Sequence, residues 1–171
     1  MERNENETLK SLRACKEILN KLFEEYSGRI FNTAGDSVLA EFQSAISAVV
    51  CASEFQKFIN NRNASVTNEQ RMNFRIGVNM GDVIVEGTNL YGEGVNIAAR
   101  LESYCPADGI AISKNIYDLI NRKVDFKFVD KGHQNIKNTC VHTFLLVSSD
   151  QKKSADISEI QNSPTRTSSL P

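Results

Sequence analysis

RIFNTAGDSVLAEF, residues 29–42, sets two short strand-like runs, RIFNTA and SVLAEF, on either side of Gly35 and Asp36. A Gly-Asp pair suits a tight turn, so the segment reads as a β-hairpin. Upstream, Leu9, Leu12, Ile18, Leu19, Leu22, Phe23 and Tyr26 recur at three- and four-residue spacing. They predict an amphipathic helix over residues 8–26, stopped by Gly28. Downstream, Ile46, Val49, Phe55, Phe58 and Ile59 predict a second helix over 44–60, with a polar loop at 61–71. NFRIGVN and DVIVEG read as two more strands, joined through Met80 and Gly81. Residues 95–104 have helical character, 106–109 form a turn and 110–113 a strand. A short helix at 115–121 and strands at 126–129 and 143–147 close the chain. Helices and strands interleave, but the hairpins interrupt the alternation. The expected class is therefore α+β, a mixed sheet with helices on one side, rather than a doubly wound parallel sheet.

At 171 residues, 40% hydrophobic and 24% charged, the chain fits one globular domain and is too short for two ordinary ones. A formal charge of -1 without a basic stripe argues against nucleic acid as a partner. The longest apolar run, residues 45–52, is broken by Ser47 and is far too short to cross a bilayer. MERNENE at the amino terminus lacks the apolar core of a secretory signal, so a cytoplasmic protein without a membrane span is expected. Cys15, Cys51, Cys105 and Cys140 are widely spaced, with no CxxC pair and no histidine at ligand spacing. They read as small apolar packing residues. His133 and His142 share no nearby carboxylate or cysteine cluster and are expected at the surface or a sheet edge. Residues 148–171 carry few large apolar groups and are expected to form a disordered tail.

Two places could carry chemistry. Asp36 stands at a predicted strand tip, where a carboxylate can bind a divalent ion together with substrate phosphates. Aspartate also simply suits turns. Asn96 and Arg100, in VNIAAR, are four residues apart and share one face of a helix. An amide beside a guanidinium fork can hold a ribose oxygen and a phosphate, though the same pair also suits a solvated face. Gly92 and Gly94, just ahead, could let the backbone approach a ligand closely or could be ordinary loop glycines.

TAGDSVLAEF, NFRIGVNMGDVIVEG, LYGEGVNIAARLES, GIAISKNIYDLI and FVDKGHQNIKN follow one another in the order and spacing of class III nucleotidyl cyclases. The resemblance is greatest to bacterial adenylate/guanylate cyclase domains with a short connection between the fourth and fifth strands. It covers nearly all of residues 8–147, and five weak blocks in register are jointly specific. It implies a ferredoxin-like α+β nucleotidyl cyclase fold over 1–147, paired head to tail in a homodimer or with a complete cyclase domain. It also implies active sites built from both partners, Mg²⁺ or Mn²⁺, and a nucleoside triphosphate as substrate. Carried over by position, Asp36 resembles a metal ligand and Asn96 the residue that orients the ribose. Arg100 resembles the arginine that stabilises the transition state at the α-phosphate, and Lys137 the lysine that meets the triphosphate. The base-reading positions correspond to Asn73 and Asn89. These do not exclude guanine, and the bacterial relatives tilt the reading towards ATP and cyclic AMP.

One element departs from the pattern. The family carries a first metal-binding aspartate on an opening strand ahead of the long helix, whereas Asp36 is the first aspartate here. Glu2, Glu5 and Glu7 read as residues favoured at a helix start by its dipole, not as replacements. The resemblance therefore predicts a domain shortened at its amino terminus, Met1 being an internal methionine of a longer protein. It also predicts half a metal site, and a gap in the sheet unless a partner or an upstream segment fills it. The alternative function is a nucleotide-binding or dimerisation module without turnover.

Overall fold

The computed structural model describes residues 2–147, and the tail expected at 148–171 lies outside the described residues. Helix α1 spans Glu2–Tyr26 and begins earlier than its apolar spacing indicates. The Thr8 hydroxyl already donates to the Asn4 carbonyl one turn back, at 2.8 Å. Apolar periodicity cannot register these first turns because they are polar throughout. At the other end Ser27 takes the left-handed conformation, with φ of 59°. Gly28 donates its N–H to the Phe23 carbonyl at 2.9 Å. A side chain at Gly28 would meet the Phe42 ring at 2.7 Å, so the glycine seats the hairpin against the helix.

That hairpin is β1 (Arg29–Ala34) and β2 (Ser37–Glu41), antiparallel, with Gly35 at positive φ in the turn. Helix α2 (Ala45–Ser65) starts at Ser44, whose Oγ accepts the Ser47 N–H. It runs past the expected end at 60, into the segment read as a loop. The returning chain explains this: Asn63 exchanges two hydrogen bonds with the Met72 backbone, and Arg62 donates to the Gln70 carbonyl. Cys15 and Leu22 of α1 pack on Cys51, Phe55 and Ile59 of α2. Ile59 is fully buried, which for a side chain of this size is worth about 1.5–3 kcal/mol.

Strand β3 (Ile76–Val78) pairs in parallel with β6 (Ile110–Ser113), not with the DVIVEG strand. The expected hairpin through Met80 and Gly81 is therefore corrected. Strand β4 (Ile84–Glu86) turns at Gly87 and Thr88 into β5 (Asn89–Tyr91), forming a separate arm. Helix α3 (Glu93–Tyr104) follows, then β6 and helix α4 (Lys114–Ile120). Strands β7 (Phe128–Ile136) and β8 (Thr139–Leu146) form a long hairpin, giving a four-stranded sheet in the order β3-β6-β8-β7. Both are longer than expected. The edge strand β7 leaves Asp130, Lys131, His133 and Asn135 exposed, so its polar middle does not read as a strand.

The α+β class stands. Successive residues of β6 show how the layers divide: Ile110 and Ile112 pack with Val49 of α2 and with Ile116 and Ile120 of α4. Ala111 between them packs with Leu101 and Cys105 of α3. Alternate residues of a strand face opposite ways, so α2 and α4 cover one face and α3 lies across the other. The one-sided arrangement holds for α1, α2 and α4, and α3 is the exception. Gly77 makes its close approach possible, since a Cβ there would lie 2.3 Å from the Ala98 carbonyl oxygen.

The sheet is interrupted. The β1–β2 pair is not hydrogen-bonded to the four-stranded sheet. Residues 37–42 and 74–80 both line a cavity of about 890 Å³.

Candidate active site

The placement of Asn96 and Arg100 starts with the glycines before them. Gly92 has φ of 115°, which bends the chain from β5 into α3. Gly94 is buried, donates its N–H to the Asp82 carbonyl at 3.1 Å, and has no room for a Cβ, which would stand 2.8 Å from that oxygen. The Asn79 amide donates to the Gly94 carbonyl at 3.0 Å. These glycines serve close approach of the chain to itself: the segment at Gly81 and Asp82 rests on the first turn of α3. Asn96 is exposed and Arg100 half-buried, one helical turn apart. Arg100 belongs to none of the four ion pairs among the described residues, so no carboxylate there neutralises its guanidinium.

Asp36 is exposed in the β1–β2 turn and borders the large cavity, as does Asn73 ahead of β3. Asn96 and Arg100 do not line that cavity, whereas their helix neighbours Val95, Ala98 and Glu102 do. Lys137 and Asn138, with φ of 48° and 65°, form the two-residue turn between β7 and β8. This primed turn matches the twist of the strands and holds the exposed Lys137 ammonium at the hairpin tip. Asn89 is half-buried, and its side chain is engaged within the arm. Its Nδ2 donates to Tyr91 Oη at 3.0 Å and its Oδ1 accepts the Leu90 N–H at 2.9 Å. The six residues thus do not line one pocket of a single chain.

Comparison with known proteins decides the family. The model of the adenylate and guanylate cyclase catalytic domain matches residues 1–148. The chain belongs to that family. "Putative adenylate cyclase 3" of Rhizobium meliloti (strain 1021) is 41% identical over 139 residues, 81% of this chain. The match is 24% of that relative, so the chain spans about a quarter of its length. The solved adenylate/guanylate cyclase/hydrolase from Silicibacter pomeroyi is 31% identical with a TM-score of 0.73, covering 78% of this chain and 80% of the other. The adenylyl cyclase CyaB from P. aeruginosa is 25% identical with a TM-score of 0.67, covering 82% of each chain.

For this cyclase domain the metal question can be put to the residues present. Among the described residues no three His, Cys, Asp or Glu side chains stand together as a metal centre. Asp36 offers one hard oxygen ligand at a strand tip. That suits Mg²⁺, which commonly takes one or two carboxylates and completes its shell with phosphates and water. A complete two-ion site is not formed by this cyclase domain's own described side chains.

Three thiols of the cyclase domain pack as expected and His133 is exposed on the edge strand as expected, while Cys140 and the neighbours of the two imidazoles correct the reading. Cys15, Cys51 and Cys105 are buried, but Cys140 is exposed on β8. Burial pushes the Cys51 and Cys105 thiols up to about 11. Cross-strand pairing brings together groups that are distant in sequence. Cys140 Sγ lies 3.7 Å from His133 Nδ1, and His142 Nε2 lies 2.7 Å from Asp130 Oδ1. Strand register was the missing information, since His133 and His142 are direct ladder partners. The Gly132 N–H and the His142 side chain hold the Asp130 carboxyl below the usual carboxylate range.

Proposed function

We propose that the chain is a nucleotidyl cyclase domain that converts ATP to cyclic AMP and pyrophosphate in the cytoplasm, working as a pair. The observation that carries this reading is the Asn96–Arg100 pair, its guanidinium in none of the ion pairs among the described residues, on a helix fixed by glycine contacts. Asn96 would orient the ribose so that its 3′-hydroxyl stands in line with the α-phosphorus, which is largely a positioning task. Arg100 would meet the charge that develops on the α-phosphate, and Lys137 the triphosphate and departing pyrophosphate. Each such donor is worth about a hundred- to a thousandfold in rate. Asp36 would hold Mg²⁺ or Mn²⁺, which when bound lowers the pKa of the attacking hydroxyl and clamps the leaving oxygens. Asn73 and Asn89 would read the base, Asn89 with the second Nδ2 proton and the second Oδ1 lone pair that its bonds to Tyr91 and Leu90 leave over.

Pairing is supported by the arm. Ile84 and Val85 are 66% and 68% exposed, with Tyr91 beside them, an apolar group of the kind that marks a protein interface. Asp36 borders the large cavity and Arg100 does not, which accords with a site shared between partners. The preference for ATP rests on the names of the Rhizobium and Pseudomonas relatives. No helix among the described residues is long and apolar enough to cross a membrane.

The experiment is cyclic nucleotide production by purified protein with Mn²⁺-ATP and with Mn²⁺-GTP, together with mixing of the Asp36→Ala and Arg100→Ala variants. Cyclic AMP in excess of cyclic GMP is expected, with activity regained on mixing two inactive variants. A second reading, a nucleotide-binding or dimerisation module, is favoured by the single metal-type carboxylate and the interrupted sheet. Nucleotide binding without product, even after an opening strand bearing aspartate is joined to the chain, would establish the module and overturn the enzyme. Product only after that addition would identify the chain as an inactive fragment of a cyclase.

A further inference from the structure

The β7–β8 hairpin carries a row of reactive side chains that the nucleotide chemistry leaves unused. Its register sets His133 opposite His142 and Asn135 opposite Cys140, so all four share one face. Cys140 Sγ lies 3.7 Å from Nδ1 of His133, its diagonal neighbour. The His133 ring lies against that of His142, with centroids 4.8 Å apart. His142 is itself held from two sides. Its Nε2 meets Asp130 Oδ1 at 2.7 Å, and its ring stacks on the buried Phe144 at 5.0 Å. A thiol, an imidazole and an imidazole–carboxylate pair thus follow one another across the hairpin, with Cys140 and His133 exposed at one end.

These are the parts of an activated nucleophile: a sulfur, a base within reach of its proton, and a third group that holds the base. In the tautomer with Nδ1 bare, that nitrogen accepts the thiol proton as the sulfur attacks. The thiolate is the reacting form of cysteine. The other thiols are closed to this chemistry, since Cys15, Cys51 and Cys105 are buried. Burial pushes Cys51 and Cys105 up to about 11. The same burial denies Cys140 a resolving partner in its own chain, all four cysteines lying among the described residues. A disulfide at Cys140 therefore takes its second sulfur from another molecule.

We propose that Cys140, with His133 as its base, is a site of thiol–disulfide exchange with a small disulfide of the glutathione kind. The Cys140 sulfur attacks one sulfur of that disulfide while its proton passes to His133 Nδ1. A new S–S bond forms, the old one breaks, and the departing thiolate takes the proton from the imidazole. Cys140 is oxidised to the mixed disulfide, and one small thiol is released in reduced form. The inference stands on the hairpin's own side chains and is independent of nucleotide turnover.

The test is incubation of the intact chain with glutathione disulfide near neutral pH, followed by intact mass and peptide mapping. The expected result is one adduct, on Cys140, removed by dithiothreitol. His133→Gln should slow its formation by about tenfold or more. Asn135→Gln, which alters the residue opposite Cys140 without touching the base, should react at the parent rate. In urea, where the hairpin is lost, parent and His133→Gln should react alike. Equal rates for the folded parent and His133→Gln overturn the proposal, since Cys140 would then be merely accessible. An adduct on Cys15, Cys51 or Cys105, an equal slowing by Asn135→Gln, or a chain-to-chain disulfide in place of the adduct also overturns it. So does a His133 effect that persists in urea, which would belong to the local sequence and not to the fold.

Discussion

Replacing Gly77 by alanine puts the contact between β3 and α3 under direct test. The new Cβ would stand 2.3 Å from the Ala98 carbonyl oxygen, 2.5 Å from the Glu102 amide nitrogen and 3.0 Å from the Leu101 carbonyl carbon. All three are backbone atoms of one helix, so no side chain can swing away. Ordinary contact at about 3.5 Å requires α3 to lift by about 1 Å. A gap of that size forfeits about a quarter to a half of each dispersion contact along the seam. Leu101 and Cys105, buried there against Ala111 and Val141, would loosen. Overpacking of this kind costs about 1–3 kcal/mol, which at this chain length lowers the melting temperature by about 2–12 °C. Misplacing Arg100 by about 1 Å should also cost about a hundredfold in turnover. The assay is thermal denaturation by circular dichroism, with cyclase activity per folded molecule. Gly132→Ala is the control: nothing lies within 4 Å of its Cβ, and it carries only the strain of a φ of +68°. It should lose about 1–2 kcal/mol and keep its activity. A Gly77→Ala protein that melts within about 1 °C of the parent, with unchanged turnover, would refute the reasoning.

Other outcomes follow from the same geometry. Lys137→Gly keeps the positive φ of the β7–β8 turn while removing the ammonium, so stability should hold while turnover falls about a hundredfold; a matching loss of stability would return Lys137 to a purely structural role. A thiol reagent near pH 8 should label one cysteine of the folded protein, Cys140, and all four after unfolding. Labelling of Cys51 or Cys105 at the Cys140 rate would contradict their burial and raised pKa of about 11. Because the Asp130 carboxyl titrates lower in the folded state, its contribution is present above the unfolded value, about 3.9. It is lost as pH falls through the folded value. Asp130→Asn should therefore lower the melting temperature near neutrality and match the parent in strong acid, and a constant difference across that range would rule the linkage out. Ser44→Ala should cost about 1 kcal/mol by removing the α2 cap, read by urea denaturation.

The sequence was most legible where one periodicity governs a segment. The hairpin at 29–42 and the strand at 110–113 follow directly from their runs. Helix α2 outran its reading because Asn63 and Arg62 satisfy the returning chain instead of water, a tertiary contact that composition does not record. Only the start of strand β7 was legible, at 128–129, because the rest of an edge strand need not alternate and its partner makes up the ladder. The candidates Asp36, Asn96, Arg100 and Lys137 were proposed only through ordered motifs, since each residue type is ordinary in isolation. That Asp36 borders the large cavity while Asn96 and Arg100 do not could not be read at all, because it depends on which face of α3 rests on β3. The apposition of Asp130 with His142 was invisible for a related reason, as it exists only through strand register.

The two glycines at 81 and 94 have a mechanical corollary. With backbone resting on backbone, and Asn79 stitched across by a hydrogen bond, the arm and the start of α3 have no side-chain cushion between them. Whatever displaces Ile84 and Val85 therefore bears on the backbone at the start of the helix that also carries Arg100, with no layer of side chains to re-pack in between.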